Sequence, residues 1–437
     1  MPKSSTTRAT ISYAGGLSRH EVVAWRNATF VIFWLCGIGM ASWVARVPAV
    51  RDGLHASTLE MGLLLFGLAA GSIIGLLASS HIIARFGAAT TIAWCLTIGP
   101  IGLTIAGIGA TVGPSFAVAF GGLALFGAAF GMCDVAMNVS GAADERVLRR
   151  AIMPLFHAAF SFGTMIGAGL GALAESIGLP IAIHTGIISI VMVVGALIAV
   201  RFLRSEHLAA ETGEPAPDGD RNATWRDRLS IWRDPRTLLI GLIILGMAFA
   251  EGSANDWLAL AMVDGHGVSN ASGAVVLGVF VTAMTAGRIA GVPLLDRFGR
   301  VPVLRAASAL AALGLLIVIL VPNAGVAIFG VVLWGLGSSL GFPVGMSAAA
   351  DDPRTAAARV SAVATIGYCA FLVGPPLIGF LGEHFGLLNA LLVVLLLVAI
   401  GGLVSHAARE PHRARALSAA SASSAASANE GDPAQNG

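Results

Sequence analysis

The sequence has few charged side chains and almost no lysine. Charged residues fill 11% of its 437 positions, against about 25% in an average soluble domain. Lys3 is the one lysine among 26 basic residues, and 56% of the residues are hydrophobic. This composition argues against a soluble globular protein, because too little polar surface is left to face water.

Signatures of catalysis and of metal binding are also missing. The chain has no Walker phosphate-binding motif and no H-E-x-x-H zinc motif, so neither ATP hydrolysis nor another enzyme activity is predicted. Its four cysteines form no C-x-x-C pair and no cluster with histidine, which argues against a disulfide framework and a metal site. We therefore expect no catalytic residue, no metal and no cofactor.

Long apolar runs dominate the rest of the chain, and the mean hydropathy is +0.83. A bilayer core of about 30 Å is crossed by roughly 20 apolar residues in a helix, and only a helix satisfies its own backbone in lipid. Twelve runs have this length, which predicts twelve transmembrane helices. The predicted spans are 27–49, 58–80, 88–110, 115–140, 152–174, 181–203, 237–261, 272–295, 302–321, 325–350, 357–380 and 387–407.

The arginines predict the orientation. If the N-terminus is cytoplasmic, only Arg46 and Arg51 fall outside the cell and Arg288 falls inside span 8, while every other basic residue lies in a cytoplasmic segment. This is the asymmetry of the positive-inside rule. We expect a multi-pass protein of the inner (plasma) membrane with both termini in the cytoplasm. It should contact lipid, bind no nucleic acid and act as a monomer.

The two halves of the sequence repeat each other. Gly171–Leu179 after span 5 matches Gly379–Leu387 after span 11, and Arg85-Phe86-Gly87 matches Arg297-Phe298-Gly299. An even number of spans separates the copies, which predicts an all-α integral membrane fold of two six-helix bundles in a parallel repeat. The expected segments are an N-terminal tail (1–24), an N-terminal bundle (25–203), a cytoplasmic linker (204–236), a C-terminal bundle (237–408) and a disordered tail (409–437).

One loop has the pattern of a known family. Gly287–Arg300, G-R-I-A-G-V-P-L-L-D-R-F-G-R, resembles the signature that the major facilitator superfamily carries between spans 8 and 9. The resemblance implies that Asp296 caps a neighbouring helix and locks the outward-open state; the alternative is a solvated loop carboxylate. The residues implied in the C-terminal lock are Asp296, Arg297, Gly299 and Arg300.

The N-terminal copy of this signature is incomplete. Arg85 and Gly87 match the pattern, but Ala84 replaces the acid and Ala88 the last arginine. The resemblance therefore implies a conformational lock that depends mainly on the C-terminal half.

Polar residues inside the spans of the N-terminal half are candidates for the functional site, because such residues are costly in lipid. Asp134 and Asn138 share one helix face at i, i+4 in span 4, and His157 lies near the start of span 5. Arg46 ends span 1. The alternatives are a structural pairing of Asp134 with His157 or with a nearby arginine, and an Arg46 side chain that extends to the outer headgroups.

The C-terminal half offers a second set. Glu251 and Asn255 share a face of span 7, and Asp256 follows. The alternative for Asp256 is a position near the outer end of the helix, where its carboxylate is in water. For Arg288 the alternative is a structural ion pair, either between the halves or with the loop of Asp296. Asn138 and Asn255 could each simply bind a neighbouring helix.

Two of these strings are similar to the fucose permease branch of the superfamily. They are C-D-V-A-M-N in span 4 and H-A-A-F-S-F-G in span 5. The resemblance implies that Asp134 takes the place of an acid in the sugar and proton site, and that His157 takes a polar sugar-contact position. Phe160 replaces an amide of that pattern, and Arg46 stands where the branch has a further acid.

The predicted function is secondary active transport of a small polar solute, such as a sugar or a derivative, by alternating access in symport with protons. A carboxyl group removed from water is readily protonated, so Asp134 is expected to take the coupling proton and Glu251 to hold the solute. One alternative is a proton-driven exporter of drugs or metabolites, with an apolar, aromatic cavity. Another is a non-transporting membrane sensor, with an appended signalling domain.

Overall fold

The computed structural model describes residues 17–148, 152–204, 231–352 and 355–410. Within these ranges the chain is helical and has no strand, and twelve helices are long and apolar enough to cross a membrane. The predicted fold class is confirmed. We number the helices α1 Arg19–Val44, α2 Thr58–Phe86, α3 Ala88–Thr111, α4 Phe116–Leu148, α5 Met153–Ser176, α6 Ile181–Ala199, α7 Pro235–His266, α8 Asn270–Phe298, α9 Arg300–Leu320, α10 Ala324–Ala349, α11 Ala356–Phe385 and α12 Leu387–Leu403.

Several boundaries differ from the predicted ones for local reasons. α1 begins before the predicted position 27 because Ser18 and Glu21 form a capping box, in which each side chain binds the backbone N–H of the other residue. α1 also ends early, and Pro48 lies instead in the first turn of a separate short helix, Val47–Leu54, where its missing N–H costs nothing. Most of the predicted tails and linker lies outside the described residues.

The sequence repeat is also a structural repeat. Gly87 and Gly299 have φ values of 81° and 76°, and in both copies the arginine guanidinium lies over the ring of the next phenylalanine, at 5.5 Å for Arg85 and 5.2 Å for Arg297. Positive φ favours glycine at these turns. α1–α6 pack together as one bundle and α7–α12 as a second.

The bundles meet along two helix pairs, α2 with α11 and α5 with α8. We call the end that holds residues 51–57 and 262–271 the outer end, following the predicted orientation. Near this end, a Cβ atom on Gly379 would come within 2.9 Å of the Gly62 Cα atom. The backbones of α2 and α11 are therefore in direct contact there, which only small residues allow.

Two carboxylates at equivalent positions of the repeat reach across to the opposite bundle. Glu383, in the last turn of α11, accepts a hydrogen bond from the backbone N–H of Leu59 at 3.2 Å. Glu175, in the last turn of α5, accepts one from Nδ2 of Asn270 at 3.4 Å. Because Leu59 and Asn270 begin α2 and α8, each carboxylate lies near the positive end of a helix dipole. The repeat thus contributes two matching contacts between the bundles.

An ion pair adds a third contact at the outer end. Nη1 of Arg51 donates to both carboxylate oxygens of Asp264, at 2.5 and 2.6 Å. Asp52 accepts a further hydrogen bond from Nδ2 of Asn270 at 2.9 Å. These contacts hold the bundles together at the outer end, and we call the set the outer gate. Its side chains are Arg51, Asp52, Glu175, Asp264, Asn270 and Glu383.

The orientation predicts which surface positions can be labelled. Cysteines at Val112 and Pro322, which are exposed at the ends of α3 and α9, should react with a membrane-impermeant maleimide on intact cells. A cysteine at Trp232, before α7, should react only after permeabilisation, because basic segments stay in the cytoplasm. The background must lack the four native cysteines, of which Cys369 is exposed. The opposite labelling pattern would invert the topology.

The outer gate predicts a response to loss of one charge. Asp264→Asn should increase the rate at which a cysteine at Leu65, buried on α2 below the gate, is alkylated from outside. The side chains of Arg51 and Asp264 are 19% and 33% exposed. Such a pair stabilises the closed state by about 1 kcal/mol, so its loss should raise the open population roughly fivefold. Asp234→Asn is the matched control, because the partner of Asp234 is Arg359 of the same bundle. Equal rates in both variants would show that the gate pair does not hold the bundles closed.

Candidate functional site

A cavity of about 330 Å³ lies between the two bundles. Its walls come from α1, α2, α4 and α5 on one side and from α7, α8 and α11 on the other. The volume is within the range of small-molecule sites. Among the side chains that line it are Phe130, Asp134, Phe160, Glu251, Asn255, Asp256, Arg288, Tyr368 and Phe371.

The wall contributed by the N-terminal bundle has one acid beside two rings. Asp134 lies near the middle of α4, and Phe130 lies one turn earlier on the same helix face. Phe160 of α5 faces Phe130, with ring centroids 6.3 Å apart. Nδ2 of Asn138 donates to the Asp134 carboxylate at 3.3 Å and to its backbone carbonyl at 2.7 Å. The predicted i, i+4 pair is thus an amide that orients the carboxylate from one turn away.

The opposite wall has two acids on α7. Glu251 accepts a hydrogen bond from Nη2 of Arg288 on α8 at 3.0 Å, in an ion pair within the C-terminal bundle. The alternative that Arg288 pairs between the halves, or with the loop of Asp296, is therefore wrong for this state. Asn255 and Asp256 lie about one turn from Glu251 toward the outer end. In the described ranges, no hydrogen bond or ion pair reaches the Asp256 carboxylate.

Three predicted site residues are not among those that line the cavity: Arg46, Asn138 and His157. Arg46 is 3% exposed; its Nε atom is 3.0 Å from Oε2 of Glu175, and Nη2 donates to the Leu179 carbonyl at 2.9 Å. The structure thus places Arg46 in the outer part of the N-terminal bundle, where it supports a gate carboxylate. His157 is exposed on α5, with its ring edge against Phe33 at 5.3 Å.

The sequence reasoning missed two residues of chemical interest. Tyr368 of α11 lines the cavity; its signal was that it is one of only two tyrosines in the chain and lies in the middle of a span. Asp144 is fully buried on α4. It was missed because the predicted span 4 ends at 140, whereas α4 continues to Leu148.

The residues of the predicted lock are divided between solvent and an ion-pair network. Asp296 and Arg297 are exposed at the end of α8. Arg300, by contrast, donates to Asp351 at 2.7 Å, and Arg236 donates to the other oxygen of Asp351 at 2.8 Å. The network joins the ends of α7 and α9 that lie opposite the outer gate to the segment after α10. While the outer gate is closed, the acid of the signature, Asp296, is exposed and takes no part in the network around Asp351.

Comparisons with known proteins agree with this architecture. The sequence model of the Major Facilitator Superfamily matches residues 28–370 and, in a second match, residues 257–429. An uncharacterised MFS-type transporter of Yersinia pestis is 31% identical over 389 residues, which cover 87% of this chain and 95% of the relative. The membrane protein MosC of Rhizobium meliloti is 26% identical over 378 residues, covering 86% and 87%.

Solved structures give the same fold at lower sequence identity. The nucleoside transporter NupG has a TM-score of 0.67 at 14% identity, over 89% of this chain and 98% of its own. FucP, a fucose:proton symporter, has a TM-score of 0.60 at 17% identity in its outward conformation, over 90% and 100%. The resemblance seen in the signature loop is confirmed: the chain belongs to the Major Facilitator Superfamily.

Proposed function

We propose that the protein moves a small polar solute, such as a sugar or a derivative, across the inner membrane in symport with protons. The observation that carries this proposal is a cavity between two bundles that contains carboxylates, an amide and a guanidinium. The solute would bind there and leave on the other side once the bundles rock, which is the alternating-access scheme for parallel repeats. The protein would work as a monomer with both termini in the cytoplasm.

Asp134 is the proposed coupling acid. It faces the cavity, and its hydrogen bond in the described ranges comes from a neutral amide, Asn138, rather than from a cation. A carboxylate in a water-poor site is stabilised by taking up a proton when no cation neutralises it. Solute movement would be coupled to the proton if the carrier that holds solute without a proton resists the transition that the loaded, protonated carrier completes.

Glu251 keeps its proposed role in solute binding, together with its partner. Arg288 remains 37% exposed while paired, so its other N–H groups are free to donate to solute hydroxyls, and Asn255 lies one turn away. The ion pair fixes the orientation of both groups. Loss of Glu251 would leave a guanidinium without its counter-charge, which is more costly than loss of both partners.

The lock residues have a proposed role in the state in which the outer gate is open. Asp296 is exposed while the outer gate is closed, and we propose that it caps a neighbouring helix when the gate opens and the cytoplasmic ends approach. Gly87 and Gly299 would form the equivalent turns of the two halves. Arg85 would contribute less than Arg297 and Arg300, because its copy has no acid.

The aromatic lining favours a second candidate, proton-driven export of a metabolite or drug. Phe130, Phe160 and Phe371 give the cavity the rings expected of that class. The carboxylates and the guanidinium nevertheless make it more polar than an exporter of apolar compounds would need. The direction of solute movement under an imposed proton gradient distinguishes the two.

The coupling role of Asp134 predicts a separation of two activities. In proteoliposomes, using a solute identified by uptake profiling of a deletion strain, Asp134→Asn should abolish accumulation driven by a proton gradient but keep counterflow exchange. A gradient of one pH unit is worth about 1.4 kcal/mol per proton, or about tenfold accumulation, and the variant should fall to no accumulation. Asp144→Asn, a buried acid on the same helix that lies outside the cavity wall, is the control. Accumulation by Asp134→Asn equal to that of the control would disprove the assignment.

A further inference from the structure

The charges that face the cavity do not balance. Three carboxylates line it, those of Asp134, Glu251 and Asp256, but Arg288 is the one guanidinium among the lining residues in the described ranges. Arg288 is paired with Glu251. Two carboxylates are therefore left without a cation, one on each wall. His157 is not among the residues that line the cavity.

Carboxylates without a cation inside a membrane protein need another group to offset their charge. Carboxylates inside a membrane protein are costly unless a cation, a proton or hydrogen-bond donors stabilise them. Asp134 has the Asn138 amide and, under the proposed function, the coupling proton. Asp256 has neither in the described ranges, although it is enclosed within the protein and faces the cavity. A positive charge that enters with the solute would neutralise it.

The surroundings of Asp256 suit an organic cation. Gly252, one turn earlier on α7, has no side chain, and the ring of Phe371 occupies that space: a Cβ atom on Gly252 would lie 3.0 Å from the ring. Tyr368 lies one turn from Phe371 on α11, and both line the same cavity as Asp256. Aromatic faces next to a carboxylate are a favourable site for an ammonium group, through cation–π and ionic attraction together.

We propose that the transported solute carries one positive charge, as an organic ammonium group bound between the Asp256 carboxylate and the Phe371 ring. This inference rests on the proposed function, and it adds the chemical class of the solute. In the loaded carrier, three negative charges then meet three positive ones: Arg288, the coupling proton and the ammonium group. The hydroxyl or other polar groups of the solute would face Arg288, Glu251 and Asn255.

Matched pairs of solutes test the charge directly. The full-length protein, purified in detergent, is titrated with choline and its neutral isostere 3,3-dimethylbutan-1-ol, and with glucosamine and glucose, while its thermal unfolding is followed. The cationic member of at least one pair should raise the midpoint, and its neutral partner should not. Asp256→Asn should weaken binding of that cation by about tenfold or more, the effect of losing a hydrogen bond to a charged group.

Two further variants keep the test independent of folding defects. Asp256→Glu retains the charge and should keep part of the stabilisation, and Asp144→Asn removes a buried acid outside the cavity and should keep all of it. The proposal is overturned if the neutral members stabilise as well as the cations, if no cation stabilises the protein, or if Asp256→Asn binds the cation as tightly as the parent.

A flux measurement separates this inference from the proposed function. Each of the four solutes is added in turn to proteoliposomes that contain a pH indicator, which reports whether protons enter with the solute. Proton entry with glucose but not with glucosamine or choline would retain the symporter and reject the ammonium solute. Binding of a cation without proton entry would retain the Asp256 site and reject proton symport.

Discussion

The cavity between the bundles is lined by more negative than positive side chains. A carboxylate at the centre of a membrane protein is costly and is usually paired or faces a water-filled cavity. Glu251 has a resident partner, Arg288, at 3.0 Å, whereas Asp134 and Asp256 do not. We propose that a proton and the solute supply the positive charge that the cavity lacks.

Two contacts of the outer gate come from equivalent positions of the sequence repeat. Glu175 and Glu383 occupy equivalent positions, and each binds the first turn of a helix in the other bundle. The pair of Arg51 and Asp264 adds to these contacts but is partly exposed, so each contact contributes only on the order of 1 kcal/mol. Several weak contacts suit an equilibrium between two conformations. A change of about 5.5 kcal/mol in their relative free energy is enough to shift the population from almost all closed to almost all open.

The sequence predicted the fold well because the length of an apolar run determines whether a helix spans the membrane. It also identified polar residues at the right depth: Asp134, Glu251, Asn255 and Asp256 all line the cavity, although their roles stay predictions. It did not predict side-chain partners. Hydropathy gives the depth of a residue but not its direction around the helix axis, because lipid and protein interior are about equally apolar. The pairing of Arg46 with Glu175, and of Arg288 with Glu251, depends on how helices pack.

If the charges of the loaded cavity balance as proposed, the charge that crosses the membrane with each solute molecule has a definite value. In proteoliposomes with known gradients of pH and of an accumulated solute, the reversal potential of the solute-driven current gives the number of elementary charges that cross with each molecule. Our account predicts two, one from the proton taken by Asp134 and one from the ammonium group bound at Asp256. A value of one would show that either the proton or the cation is missing, and would contradict the proposed balance of three negative and three positive charges.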